Sequence, residues 1–314
     1  MPSSSILVTG GLGYVGRELV AQLLRTDAGT LHVLDDVSSG EHRLAAMDTQ
    51  RFTLHRVDVR DRAAVREAVA AVRPSVIYHL AAIHYIPACE AAPGDATSIN
   101  VAGTVNLLDA APAGCRFVYA STAAVYAPSD APHVETEAPG PVDIYGYTKL
   151  HGEHFVGYYA RQGRVRGRIV RLFNVVGPGE TNPHLVPAIV RQLAGGTTRV
   201  QLGNLFPHRD YIDVADAARG FQLIGAAGAD EDLVVSNLGT GVTHAVGDVV
   251  ETIAKAAGIA LTVEQDPARM RNVDRPMLRA STERLRALTG WAPSTTLAES
   301  MRRAWQSRRE DGLA

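Results

Sequence analysis

The nine residues Val8-Thr9-Gly10-Gly11-Leu12-Gly13-Tyr14-Val15-Gly16 constrain this chain more than any other stretch. They follow the apolar run Ile6-Leu7-Val8 and lead into a segment with apolar residues at Val15, Leu19, Val20, Leu23 and Leu24. That order is strand, glycine turn, helix. The three spaced glycines have different jobs. Gly10 permits the tight turn, Gly13 lets backbone approach a pyrophosphate, and Gly16 lets helix and strand pack closely. The unpaired N–H groups and the positive dipole end of the helix would receive the phosphates. Leu31-His32-Val33-Leu34 reads as the next strand and ends in Asp35-Asp36. That is about 20 residues past the turn, where an acid holds the adenine ribose hydroxyls.

The alternation continues. Phe52–Val57 reads as a strand, Arg62–Val72 as a helix, Val76–Leu80 as a strand, Ser98–Ala110 as a helix and Arg116–Ala120 as a strand. The strands are apolar without alternation, so both of their faces are covered. The expected fold is therefore α/β, a doubly wound parallel sheet. From roughly Gly140 the pattern becomes turn-rich, with a helix over Tyr145–Arg161, a strand over Gly167–Phe173 and shorter elements beyond. This predicts a cofactor-binding domain over 1–172 and a smaller α/β substrate-binding portion over 173–314, with an interleaved boundary.

With 46% apolar and 20% charged residues, the 314-residue chain can bury a sizeable core. A net charge of −2 gives no reason to expect nucleic acid or an anionic membrane as partner. No stretch approaches the ~20 apolar residues that span a bilayer. Met1-Pro2-Ser3-Ser4-Ser5 lacks the basic start of a signal peptide. Cys89 and Cys115 have neither metal nor redox spacing. A cytoplasmic location is expected.

Tyr145-Gly146-Tyr147-Thr148-Lys149 is the second strong signal. At ~100° per residue, positions 145 and 149 lie about 40° apart on one helical face. An ammonium there favours a phenolate, which would bring a tyrosine base towards neutrality. Of 31 basic residues only Lys149 and Lys255 are lysines. A chain that writes arginine wherever a generic cation will do gives Lys149 added weight. His151 and His154, spaced i, i+3 on the same helix, point about 240° and 180° away from Tyr145. They are expected to be solvated, and no metal site is expected.

Together these motifs resemble the extended short-chain dehydrogenase/reductase family, in particular its nucleotide-sugar epimerases and dehydratases. The resemblance rests on Thr9-Gly10-x-x-Gly13-x-x-Gly16, Asp35, Asp58, Ala81-Ala82, Ser121-Thr122-Ala123-Ala124-Val125-Tyr126 and Tyr145-x-x-x-Lys149. Arg171-Leu172-Phe173-Asn174, His208-Arg209-Asp210-Tyr211, Arg271-x-x-Asp274 and Thr289-Gly290-Trp291 extend it over the whole chain. It implies a Rossmann sheet and NAD as cofactor. It places NAD against Gly10, Gly13, Tyr14, Val15, Asp35, Asp36, Ser39, Gly40, Asp58, Val59, Leu80, Ala81 and Ala82, with Tyr145 and Lys149. It also implies a nucleotide-diphosphate sugar held by Tyr85, Thr122, Asn174, His184, Leu185, Arg209 and Arg271. Catalysis would fall to Thr122, Tyr145 and Lys149, and His84 would join Tyr85 in facing the sugar.

The family's 4,6-dehydratases carry an Asp-Glu pair directly after the threonine, its decarboxylating members keep a Glu, and its 3,5-epimerase/reductases a Cys. Here those positions are Ala123 and Ala124, which transfer no protons. The resemblance thus points to a redox-neutral 4-epimerase, with a dehydratase or ketoreductase of the same family as the alternative. Asp35 repels a 2′-phosphate and so favours NAD over NADP. No arginine occurs within Gly177–Leu185, which leans towards a neutral sugar. The family's helix-bundle dimers imply a homodimer through Ser98–Ala110 and Tyr145–Arg161, with Val101, Val105, Leu108, Phe155, Val156 and Tyr159 at the interface.

Overall fold

The computed structural model describes residues 5–26, 29–38, 41–45, 47–228, 231–267 and 275–313. Ser39, Gly40, Arg271 and Asp274, all singled out above, lie outside the described residues. The first half lays down β1 (Ser5–Thr9), α1 (Tyr14–Arg25), β2 (Thr30–Asp35), α2 (Glu41–Ala45), β3 (Thr53–Arg56), α3 (Arg62–Val72) and β4 (Val76–His79). Short helices α4 (Ile86–Ala91) and α5 (Pro93–Thr97) follow. A π-turn over Ser98–Ala102 then runs into α6 (Gly103–Ala110) where one unbroken helix was expected, and β5 (Cys115–Thr122), α7 (Ile144–Arg161) and β6 (Val165–Leu172) complete the half.

In the second half come β7 (Asn174–Val176), α8 (Leu185–Ala194), β8 (Arg199–Leu202), β9 (His208–Asp213), α9 (Val214–Ala226) and β10 (Leu233–Leu238). After them come β11 (Thr243–Ala245), α10 (Val246–Ala257), β12 (Thr262–Gln265), β13 (Met277–Leu278), α11 (Glu283–Thr289) and α12 (Leu297–Ser307).

Seven strands form one sheet in the order β10-β6-β5-β4-β1-β2-β3, and every neighbouring pair is parallel. The fold is a doubly wound Rossmann-like α/β sheet, as the alternation predicts. Strand order reverses between β1 and β4. Ligands bind in such folds outside the carboxyl ends of the strands at that switch point. One face of the sheet is covered by α1 and α9, through Leu19, Val20, Phe221 and Ile224 with Trp291. The other is covered by α3, α6 and α7, through Val65, Val69, Leu107, Val156 and Tyr159. A separate core of Ile189, Val190, Val249, Ile253 and Met301 binds α8, α10 and α12 together. Strand β10 and helix α9 come from the second half yet complete the large sheet. Among the described residues no helix is long and apolar enough to cross a membrane.

The outward face of α7 differs from the one expected. Leu108, Val156 and Tyr159 are buried in this chain's own core. An apolar stripe on α7 serves β5 and β6 from below, and periodicity alone does not say which stripe faces out. The exposed aromatics of α7 are Tyr147, Phe155 and Tyr158, and His151 and His154 are exposed beside them.

Candidate functional site

The glycine turn is set by backbone contacts. Gly10 has φ +69°, and a Cβ there would lie 2.6 Å from the Ala81 nitrogen, so only glycine lets β1 end this close to the end of β4. A Cβ at Gly16 would lie 2.0 Å from the Gly10 carbonyl oxygen, which fixes α1 against the turn. Gly13 is the N-cap of α1, no side chain caps that end, and its first turn holds no acid. An uncapped helix start beside a glycine-rich turn fits a dinucleotide's pyrophosphate.

Asp35 does more than its position suggested. Its Oδ2 accepts from the Leu12 N–H at 3.0 Å and its Oδ1 from the Val37 N–H at 2.8 Å. One carboxylate therefore staples the glycine turn to the loop after β2. Burial raises its pKa, and the two backbone hydrogen bonds work against that rise. Asp58, after β3, is held by Arg60 through Nη2–Oδ2 at 2.6 Å, and this hydrogen bonding keeps its pKa low despite some burial. Below the turn, His79 bridges Thr9 Oγ1 at 2.7 Å and Thr104 Oγ1 at 2.9 Å. Burial pushes its pKa down to about 3, so it is a neutral strut.

Across the switch point, α7 starts at Asp143, whose carboxylate accepts from the Gly146 N–H at 2.7 Å. Gly146 sits so tightly on β5's end that a Cβ would lie 2.5 Å from the Ala124 carbonyl oxygen. Tyr145 and Thr122 thereby line the same wall of the cavity, and hydrogen bonding to Thr122 lowers the Tyr145 pKa. One turn on, Lys149 is buried with its ammonium 4.9 Å above the Tyr119 ring. Farther along α7, Glu153 accepts from Arg171 Nε at 2.9 Å and Nη2 at 2.7 Å and from Ser121 Oγ at 2.5 Å. That ion pair ties α7 to β6 and to the residue before Thr122. Sequence reasoning saw Arg171 only as part of a motif.

The electrostatics of the pair depart from the expectation. Burial raises Tyr145 above its ordinary value, and the Thr122 hydrogen bond only partly offsets this. Burial lowers Lys149 to about 7. In the protein alone, desolvation favours the neutral form of both groups.

These residues line one continuous cavity of about 1200 Å³, large enough for more than one drug-sized ligand. Gly10, Gly13, Tyr14, Val15, Asp35, Asp36, Asp58, Val59, Leu80, Ala81 and Ala82 border it on one side. Thr122, Tyr145 and Lys149 stand with them, and Tyr85, Asn174, His184, Leu185 and Arg209 complete the wall. The described residues picked out from sequence are thus brought together. Three features were missed. Arg43, from α2, lines the cavity and donates to Thr181 Oγ1 at 2.5 Å. Arg191, from α8, donates to the Thr181 carbonyl at 2.7 Å. Arg43 therefore brings a cation to the cavity wall beside Thr181 from another element. Arg275 bonds the Ala124 carbonyl at 2.9 Å and lies 3.8 Å from Asp143, bracing the start of α7.

The model of the NAD dependent epimerase/dehydratase family matches residues 6–239. A UDP-glucose 4-epimerase of Mycolicibacterium smegmatis is 34% identical over 94% of this chain and 95% of its own length. A GDP-6-deoxy-D-mannose reductase of Pseudomonas aeruginosa is 31% identical over 75% of this chain and 81% of its own. Among solved structures, the Thermus thermophilus UDP-glucose 4-epimerase in complex with NAD superposes with a TM-score of 0.86. It is 29% identical and covers 97% of this chain and 99% of that one. The uncapped glycine turn, the Tyr145–Lys149 pair in one cavity with it, and a family match over most of the chain converge: this chain belongs to the NAD-dependent epimerase/dehydratase family, in the UDP-galactose 4-epimerase-like group of extended short-chain dehydrogenases/reductases, and NAD is its cofactor.

Proposed function

We propose that this chain is a nucleotide-sugar 4-epimerase that works through a transient 4-keto sugar. The observation that carries the reading is the contrast at the end of β5. Thr122 stands beside Tyr145 and Lys149, while the next two side chains are the buried alanines 123 and 124. Oxidation and return need the first three groups. Elimination of water or loss of carbon dioxide needs a further acid or base where the alanines are.

NAD, when bound, supplies the hydride acceptor and then the donor, and its nicotinamide adds a positive charge near the tyrosine. The Tyr145 hydroxyl, as phenolate, takes the proton from the sugar's C4 hydroxyl and later returns it. Thr122 Oγ1 hydrogen-bonds the same oxygen and fixes its direction. Lys149 lies beneath, where its ammonium form stabilises the phenolate. The keto sugar turns over between the two half-reactions and presents its other face. Residues 1–172 carry the NAD side of the work. Residues 173–314 carry the nucleotide-sugar side, with Asn174, His184, Leu185 and Arg209, joined by Tyr85 of the first half, about the diphosphate and sugar.

A reductase acting on the same substrate class is the second reading, favoured by the Pseudomonas aeruginosa relative. Incubating the purified protein with UDP-, GDP-, dTDP- and CDP-sugars separates the two. Epimerisation gives an isomer without added nucleotide cofactor, whereas net reduction consumes a reduced nicotinamide. We place a homodimer contact on α7 through Tyr147, Phe155 and Tyr158. Light scattering tests it, with Phe155→Glu/Tyr158→Glu expected to give the monomer; a monomeric wild type at micromolar concentration refutes it.

A further inference from the structure

Two loops far apart in sequence meet at the cavity wall: the one after β4, bearing His84, and the one between β7 and α8, bearing Glu180 and His184. One potential ligand atom from each lies within 4.8 Å of the other two. His84 Nε2 and Glu180 Oε2 are 3.7 Å apart. That is too long for a hydrogen bond. It is close to the edge of about 3.3–3.6 Å of a tetrahedron with zinc–ligand arms of about 2.0–2.2 Å.

Their surroundings hold them in that attitude. Glu180 is buried, and its other oxygen, Oε1, accepts from the Asn182 N–H at 2.8 Å, which leaves Oε2 towards the imidazoles. The two imidazoles stack with centroids 5.8 Å apart. The Tyr85 ring meets the His184 ring edge-on at 5.2 Å. Contacts of this kind, which orient ligands without touching the ion, are the outer part of a metal site. The Asn182 side-chain amide lies 3.2 Å from His84 Nε2 itself and would give way to the ion.

We propose that His84, Glu180 and His184 bind one divalent transition-metal ion, Zn²⁺ in particular, with a fourth position open to the cavity. Two imidazoles and a carboxylate suit zinc better than magnesium or calcium, which prefer all-oxygen shells. Three protein ligands with one open position is the pattern of accessible zinc sites. One field opposes the ion. His184 is the N-cap of α8, whose start carries about half a positive charge. The full negative charge of Glu180 outweighs it. The site goes beyond the epimerase reading and does not depend on it.

The test uses the full chain, stripped with a chelator and titrated with Zn²⁺ by calorimetry and with Co²⁺ by visible absorption. The result expected is one equivalent per chain and the intense absorption of four-coordinate cobalt. His84→Ala, Glu180→Gln and His184→Ala should each weaken binding by more than about 100-fold, beyond what loss of an outer-shell support costs. The exposed pair His151 and His154 is a control, because it is another place where metal could gather. The His151→Ala/His154→Ala variant should bind as the wild type does. Absence of saturable binding in the wild type overturns the proposal, as does binding that survives in the three cavity variants and vanishes in the α7 variant. Should a cavity variant fail to fold, the wild-type cobalt spectrum still decides, since only weak six-coordinate absorption means no site.

Discussion

Replacing Arg171 by Met tests how the catalytic helix is held in place. Arg171 and Glu153 are buried, with 4% and 6% of their surfaces exposed, and two parallel N–H···O contacts of 2.9 and 2.7 Å join them. Arg171→Met leaves the Glu153 carboxylate buried with the Ser121 hydroxyl as its remaining partner among the described residues. Breaking one side of such a pair costs about 3–5 kcal/mol. Glu153→Gln is milder, because Arg171 keeps the Glu135 carbonyl at 3.3 Å and the face of the Tyr126 ring at 4.7 Å. Loss of a hydrogen bond to a charged group costs about 1.5–3 kcal/mol. The double variant, with no uncompensated charge, should lie well above the sum of the two, with a coupling of about 2 kcal/mol. Urea unfolding followed by circular dichroism measures all three. At about 2–4 °C per kcal/mol for domains of 150–250 residues, Arg171→Met should also melt roughly 10 °C lower. A cost below about 1 kcal/mol, the range of solvated surface pairs, would refute the claim that this pair is a desolvated strut.

Tyr145→Phe should keep its fold and its NAD and lose about 10²–10⁴-fold in turnover, since only a proton-transferring hydroxyl is removed; comparable turnover in steady-state assays would exclude Tyr145 as the base. Lys149 sits near 7, below its ordinary 10.5, so between those values the unfolded chain binds a proton that the folded one does not. Its destabilisation is complete below about pH 7 and is relieved as the pH rises towards 10.5. Melting curves should therefore show the wild type gaining on Lys149→Met between about pH 6.5 and 9, and parallel curves would contradict the assigned burial effect. Asp35→Ala should weaken NAD and narrow its advantage over NADP, read by calorimetry on the stripped protein; an unchanged ratio would mean that the carboxylate only staples Leu12 and Val37.

What is legible in the sequence is local. The glycine turn, the strand ending in Asp35 and the Tyr145–Lys149 spacing are set by backbone demands that act within a few residues. Hence the cavity's near wall follows directly. Contacts that close through space are not legible. Arg43 and Arg191 converge on Thr181 from 138 residues before it and 10 after it. Glu180 joins His84 across the cavity for the same reason. The face of α7 escapes the sequence because two apolar stripes run along it, and only tertiary packing chooses which meets β5 and β6. The pKa of Tyr145 escapes it as well, because spacing reveals a neighbouring charge and burial is invisible until the fold is known.

The measurement closest to the central claim follows a nucleotide sugar labelled with deuterium at C4 through the wild-type enzyme, with mass and NMR on the product. The account predicts an isomer of unchanged mass that keeps its deuterium at C4, because the same hydride leaves and returns while Tyr145 exchanges only a proton. A product lighter by one water or one carbon dioxide, or one that has lost the label, would contradict it.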